Sequence, residues 1–370
     1  MPQVRDGGSL APESPEPALP PGGVALVRNL LLSVGVTAIT VGGLLAITWR
    51  PESLRAVSML RGRTLAAALA LVAASWVTDA TRTWLVARAL GHPVRLGLAL
   101  RAVLTGAFVS SVTPFMAGGG ATQAFVLSQG GMPYPLGLAS VSAIGVIGQT
   151  VLWLASAAIA FFGPPVPGLP VVRTALRGVL AVYAVGLAFV AAALMQLEVL
   201  AGPVDRVLAR LQRVLPGAAV QLRRLRRRSR SFLSSAACGV RTVFQGRPAT
   251  TAAVAAVSAL YYLLVFAVAP IIGRPINVGL PATTLIAVQC PLFLLGALVP
   301  TPGGAGGVEA AMAAVAAPHM PLPAVGVFVA AWRLATFYPS VVVGAAATLI
   351  SLRWIQPSGG ALRARARNPA

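Results

Sequence analysis

The chain has 370 residues, 57% hydrophobic and only 10% charged, with a mean hydropathy of +0.81. A typical soluble domain is roughly a quarter charged, so an ordinary soluble enzyme and a disordered scaffold are both excluded. The 29 basic residues outnumber 8 acidic ones, leaving a net charge of +21, and all 29 are arginine. An apolar chain with a basic excess reads as an all-α polytopic membrane protein.

Residues 1–25 are a Pro/Gly-rich tail, expected to be disordered. The tail lacks the basic start and apolar core of a secretory signal peptide. Leu30 to Trp49 is a run of 20 uncharged residues between Arg28 and Arg50. At 1.5 Å per residue it matches a bilayer core of about 30 Å. A second apolar run covers about 64–90 and is interrupted by Asp79 and Arg82. From Ala102 to Val172 there are 71 residues without a charge. Pro/Gly clusters at 113–120 and 132–135 break that stretch, which predicts helices at about 97–112 and 136–162. Residues 178–197 are a fifth span.

The segment 198–248 differs in character. Val204, Val207, Leu208, Leu211 and Val214 recur at helical spacing with Arg206, Arg210 and Arg213 between them. The pattern predicts an amphipathic helix on the membrane surface. A polybasic run follows, with Arg223, Arg224, Arg226, Arg227, Arg228 and Arg230, and marks a cytoplasmic loop that attracts anionic headgroups. No aromatic platform for bases is interleaved, so nucleic acid is not an expected partner. Further spans fall at about 249–272, 282–299 and 324–352, about eight in all, and a basic tail occupies 356–370. Three crossings between two cytoplasmic segments are inconsistent. Either 303–318 also crosses the bilayer or one end lies on the other side.

The chain also matches itself at a constant offset of 188. Thr113-Pro114 corresponds to Thr301-Pro302, Ala117-Gly118-Gly119 to Ala305-Gly306-Gly307, and M-P-x-P at 132–135 to M-P-x-P at 320–323. Over 40 positions, 10 are identical. The halves are expected at about 64–197 and 249–352, within a membrane domain of 26–355. In each half an apolar helix ends at Thr-Pro, a glycine turn opens a short Ala-rich helix, and M-P-x-P precedes a full span. Pro and Gly at membrane depth free backbone groups that lipid cannot satisfy. Such broken or re-entrant segments must be buried in protein or line a wet cavity.

The stretch L-V-P-T-P-G-G-A-G-G-V-E-A-A-M at 298–312 resembles the signature of the transmembrane region of lysylphosphatidylglycerol synthases. T-P-F-M-A-G-G-G-A-T-Q-A-F-V-L at 113–127 and W-V-T-D-A-T-R-T-W-L-V-A-R-A-L-G at 76–91 are similar to two other patterns of that family. The resemblance covers about 60–355. It implies a flippase-like domain that handles a phospholipid or glycolipid. The aminoacyl-transferring part of the bifunctional synthases is a separate soluble domain, and nothing of that kind follows residue 355. Lipid aminoacylation is therefore not expected. The alternative is a non-transporting scaffold or accessory subunit for a membrane enzyme that modifies lipids or glycans.

The absent residue types agree with a non-enzymatic role. Without lysine there is no phosphate-loop, Schiff-base or kinase-type lysine. Two histidines, His92 and His319, and two distant cysteines, Cys238 and Cys290, do not match zinc-site spacings, so no metal or cofactor is expected. The all-arginine basic set fits a GC-rich genome, and arginine forks also suit lipid phosphates.

Within the hydrophobic body the scarce charges stand out. Asp79 and Arg82, at i and i+3, can pair on one helix face. Glu309 sits at the start of the second short helix, where it suits the helix dipole. Arg333 is flanked by Trp332 and Leu334 and needs a partner, for which Glu309 or Asp79 is available. The candidate substrate-binding set is therefore Asp79, Arg82, Thr113, Pro114, Gly118, Gly119, Gln123, Thr301, Pro302, Gly303, Gly304, Gly306, Glu309 and Arg333. Tyr261, Tyr262, Trp332 and Tyr338 read as interface or packing aromatics.

Overall fold

The computed structural model describes residues 23–116, 118–162, 170–214, 219–246, 248–296, 299 and 301–353. Of the expected tails, residues 1–22 and 356–370 lie outside the described residues, as do Ala117, Leu298 and Pro300 of the two motifs, whereas 23–25, expected to be disordered, begin a helix. The side chains of Pro114, Pro302 and Arg228 do too.

The described residues form helices and turns without a strand. In chain order the helices are α1 (Gly23–Thr48), α2 (Ser53–Met59), α3 (Gly62–Ala89), α4 (Leu96–Val112), α5 (Gly119–Ser128), α6 (Tyr134–Phe162), α7 (Pro170–Met195) and α8 (Leu197–Val214). They continue with α9 (Ala219–Phe244), α10 (Pro248–Phe266), α11 (Val268–Gly273), α12 (Ala282–Gly296), α13 (Gly307–Ala316), α14 (Leu322–Thr336) and α15 (Tyr338–Arg353). Four helical rods, Gly62–Ala89, Tyr134–Phe162, Pro248–Gly273 and Leu322–Ser351, are long and apolar enough to cross a membrane. Four shorter apolar helices accompany them, at Ala38–Thr48, Leu96–Val112, Leu180–Met195 and Ala282–Leu294. This is an all-α polytopic membrane architecture.

The backbone repeats at the offset seen in the sequence. A 3₁₀ turn at Pro114–Met116 recurs at Pro302–Gly304, α5 recurs as α13 with identical bounds, and the start of α6 recurs as the start of α14. The conformation repeats as well: Phe115 and Met116 have φ of 53° and 55°, and Gly303 and Gly304 have 64° and 67°.

The two halves are inverted with respect to each other. Near the end of the bundle that carries α8 and α9, Gly239 of α9 packs against Leu90, just after α3, and against Leu136 and Ala139 at the start of α6. Gln129, after α5, donates to the carbonyl of Ser351 on α15 at 3.1 Å. At the other end Ser53 of α2 donates to Pro323 O on α14 at 2.7 Å. There Gly279 N also donates to His319 O at 2.8 Å, tying the residues after α11 to those before α14. Hence α3 and α14–α15 run toward the α8–α9 end, whereas α6 and α10–α11 run away from it.

Each half contributes a helical hairpin. Gly118 of the first packs on Val109, Gly119 on Gly106 and Ser110, and Gly130 on Leu98, so α5 folds back along α4. In the second, Gly304 and Val308 pack on Gly296, and Gly307 on Val299. At 1.5 Å per residue the long rods measure about 40–45 Å, α4 about 25 Å and α12 about 22 Å. The hairpins enter from opposite ends and together match one rod, so their tips meet near the middle. There the Gly303 Cα lies against Ser111 O and the Phe337 ring. Neither topological alternative from the sequence is needed. Segment 303–318 is the tip and returning arm of a hairpin, so both ends of 249–352 lie at the same end of the bundle.

Two expected spans are refined and one expectation is corrected. The span at 324–352 is kinked at Phe337 and that at 249–272 at Ala267. Pro339 and Pro270, a few residues on, lack an amide hydrogen and crowd the carbonyl four residues back. The polybasic run follows the amphipathic helix α8 as expected, but it is helical and forms the first half of α9. That helix runs beside α6, with Tyr134 and Phe232 rings 6.3 Å apart, so its residues before Phe232 extend past the start of α6. Asp205 of α8 accepts hydrogen bonds from Arg226 and Arg230 and locks the two helices together.

Candidate functional site

A cavity of about 330 Å³ lies where the hairpin tips meet. Both halves wall it: Ser75, Trp76 and Asp79 of α3, Met116 and Gln123 of the first hairpin, and Gly303 and Val308 of the second. Tyr261, Phe266, Gln289, Arg333 and Phe337 close the remaining sides.

One polar cluster forms on α3. Arg82 Nη2 donates to Asp79 Oδ1 at 2.6 Å and Nε to the same oxygen at 3.1 Å. Arg82 Nη1 donates to Ser258 of α10 at 3.1 Å, and the guanidinium sits 4.4 Å from the Tyr261 ring centre. Arg82 is buried whereas Asp79 is partly exposed on the cavity wall. The pair expected from i,i+3 spacing thus exists, and it also ties α3 to α10.

A second cluster joins α13 to α14. Of the two carboxylates available to Arg333, Glu309 takes it: Arg333 Nε donates to Glu309 Oε1 at 2.9 Å. The other carboxylate oxygen accepts the Gly306 amide at 2.9 Å, capping α13 at its N-terminus. Glu309 therefore fills both roles anticipated for it, and it is 0% exposed. The Arg333 guanidinium lies 5.4 Å from the Trp332 ring centre and 5.2 Å from that of Phe337. Its Nη2 and the Trp332 Nε1 are buried without a hydrogen-bond partner among the described residues.

The other candidates shape the tips. Thr113 Oγ1 donates to Val109 O at 2.9 Å and accepts the Gly118 amide at 3.2 Å. Thr301 Oγ1 donates to Ala305 O at 2.7 Å. Asp79, Gln123, Gly303 and Arg333 line the cavity, whereas Thr113, Gly118, Gly119, Thr301, Gly304, Gly306, Glu309 and Arg82 are not part of its lining. Gln123 reaches the cavity because Gly106 has no side chain: a Cβ there would lie 2.3 Å from Gln123 Cγ. The outer arginines, Arg223 to Arg230, belong to the α8–α9 hairpin and are not part of the cavity wall.

Four contributors escaped the sequence reading. Ser258 and Gln289 are uncharged polar residues inside apolar runs, a weak signal. Tyr261 and Trp332 read as interface or packing aromatics, yet both line the cavity. Gln289 Nε2 donates to Phe266 O and Leu285 O, both at 2.8 Å, and so satisfies a carbonyl at the Ala267 kink. No group of three potential metal ligands occurs among the described residues, and Cys238 and Cys290 are free thiols.

The sequence model of one family, described as the lysylphosphatidylglycerol synthase TM region, matches residues 30–344. The chain belongs to that family. The match spans both hairpins, all four long rods up to Gly344 and the whole cavity wall. A comparison with curated proteins found no match. As a member of the lysylphosphatidylglycerol synthase transmembrane family, the chain is a membrane protein of a group associated with lipid modification or flipping.

Proposed function

We propose that this protein binds a phospholipid or lipid-linked glycan in the central cavity and moves it between leaflets of the plasma membrane. The observation that carries the reading is the meeting of two inverted hairpin tips at a cavity with one carboxylate and one guanidinium on its wall. Irregular backbone at membrane depth persists where it lines a polar cavity, and transporters place substrate sites at such repeat interfaces. Asp79 offers an acceptor to donor groups of a headgroup, and Arg333 offers unpaired donors to its phosphate. The rods flanking the cavity leave the acyl chains in lipid while the headgroup enters protein. The domain divides into halves of about 64–197 and 249–352, joined by the 198–248 segment, and the α8–α9 end faces the cytoplasm, because most arginines lie there. In this reading the chain does no covalent chemistry.

The test is reconstitution into liposomes with fluorescent phosphatidylglycerol, phosphatidylethanolamine and a polyprenyl-linked sugar, followed by leaflet-specific quenching. Exchange above that of empty liposomes, reduced by Asp79→Asn and Arg333→Gln, is the expected result. No exchange with any lipid class would reject transport and leave the accessory-subunit role.

A further inference from the structure

The two halves share a backbone plan but differ in one mechanical respect. In the first half α3 and α6 run unbroken over 28 and 29 residues. Their counterparts at the offset of 188 are both kinked, at Ala267 between α10 and α11 and at Phe337 between α14 and α15. The kinks keep hydrogen bonds across them. Ala267 N donates to Leu263 O at 2.9 Å and Ile271 N to Ala267 O at 3.3 Å. Phe337 N donates to Arg333 O at 2.9 Å and Val341 N to Phe337 O at 3.1 Å. They are bends at prolines in continuous rods, and bends of that kind are where helices flex. Both lie at the level of the cavity, which Phe266 and Phe337 line.

The pattern is sharper at the residues themselves. Ala267 and Pro270 stand where the first half has Asp79 and Arg82. One half thus has a bend where the other has an ion pair one turn long, further held by Ser258. The second hairpin engages both bends: Gln289 of α12 holds Phe266 O, and Gly303 at the tip receives the Phe337 ring. A Cβ on Gly303 would lie 2.7 Å from that ring, so only glycine lets the tip and the bend close together.

We propose that the segment between the two bends, residues 268–336, is the moving part of the protein. It swings on Ala267 and Phe337 against the first half and the α10 and α15 arms packed on it, with the Phe337–Gly303 contact as the latch that closes the cavity. That the motion serves transport rests on the lipid-moving reading above; the hinge itself does not.

The experiment uses full-length protein in nanodiscs of phosphatidylglycerol and phosphatidylcholine, with Cys238→Ser and Cys290→Ala. Nitroxide pairs are placed at exposed positions and read by double electron–electron resonance. Labels at Leu69 and Leu154 report the first half alone, and labels at Leu69 and Ala314 report the second hairpin against it. The expected result is one narrow distance for the first pair and two populations for the second. Pro270→Ala with Pro339→Ala should collapse the two populations to one. Gly303→Ala, which leaves the bends intact, should deplete one of the two populations. A single distance for the cross-half pair, or two populations unchanged by the proline replacements, overturns the hinge. Leaflet exchange is followed in liposomes with the same variants. Two populations with no exchange of any lipid support the hinge and reject the transport reading. Collapsed populations with undiminished exchange overturn the hinge as part of transport, whereas a loss of about tenfold or more supports it.

Discussion

Glu309 and Arg333 form a buried ion pair that also caps a helix. One carboxylate oxygen accepts from Arg333 Nε and the other from the Gly306 amide, each at 2.9 Å. The pair joins the returning arm of the second hairpin to the rod beside it, and Glu309 has no exposed surface. Removing one member of a buried pair strands the other charge, at about 3–5 kcal/mol. Glu309→Ala is therefore expected to lower the unfolding free energy by that amount. Exchanging the two residues, Glu309→Arg with Arg333→Glu, restores the pair but leaves the Gly306 amide without its acceptor. That variant should remain about 1 kcal/mol or more below the parent. Chemical denaturation in detergent micelles checks both, and full recovery by the exchange would show that the cap contributes nothing.

Gly119 and Gly120 are adjacent, yet they should respond in opposite ways to alanine. A Cβ on Gly119 would lie 2.0 Å from Ser110 Oγ and 2.7 Å from the Gly106 carbonyl, a backbone atom that cannot step aside. One on Gly120 meets only Val141 Cγ1 at 3.4 Å, an ordinary contact. Gly119→Ala is expected to splay the first hairpin and cost about 1–3 kcal/mol. Gly120→Ala should be neutral or gain up to about 1 kcal/mol from helix propensity. Comparative thermal unfolding of the two variants decides the matter.

The two tips predict a second contrast. Phe115 adopts the left-handed conformation and is 57% exposed, while its counterpart in the repeat is Gly303. That conformation costs an ordinary residue about 1–2 kcal/mol and glycine almost nothing. Phe115→Gly should therefore leave stability unchanged within about 1 kcal/mol. Gly303→Ala, which adds both the strain and the clash with Phe337, should lose about 2 kcal/mol or more. Equal losses for the two variants would mean that the left-handed backbone is not what distinguishes these positions.

Asp205 makes the α8–α9 hairpin sensitive to acid. The hydrogen bond from Arg226, reinforced by the charges of Arg226 and Arg230, holds its carboxyl below the usual carboxylate range. A depressed carboxyl stabilises the folded form fully above its unfolded value of about 3.9. The contribution fades as pH falls through the lower folded value. Amide protection factors, corrected for the intrinsic pH dependence of exchange, should fall across 197–214 and 219–244 below about pH 4 in the parent. In Asp205→Asn the same amides should exchange faster at neutral pH and show less acid dependence. An Asn variant with the parent's acid limb would assign that limb to other carboxyls.

Much of the fold was legible because charge-free runs and proline registers act locally. Thr113-Pro114 ends α4 and M-P-x-P places the starts of α6 and α14, in keeping with the local effect of proline on its neighbours. The inversion was not legible. That α13 folds back on α12 depends on Gly304 packing against Gly296 and Gly307 against Val299, and helical periodicity carries no such information. The site divides the same way. Asp79 and Arg82 were visible as a pair because three residues separate them, whereas Ser258, their third member, lies 176 residues from Arg82. The polybasic run misled for a related reason. Its arginines read as a loop, but Asp205 pairs with Arg226 and Arg230 and makes the run part of a helical pair.

The replacement of Asp79 and Arg82 by Ala267 and Pro270 across the repeat bears on how such a molecule can be built. A symmetric dimer of first halves would have two stiff frames and no bend. A dimer of second halves would have bends on both sides, with neither the Asp79–Arg82 pair nor an unbroken rod to brace them. Only the unlike pair supplies both, and carrying the two halves in one chain fixes them in equal number.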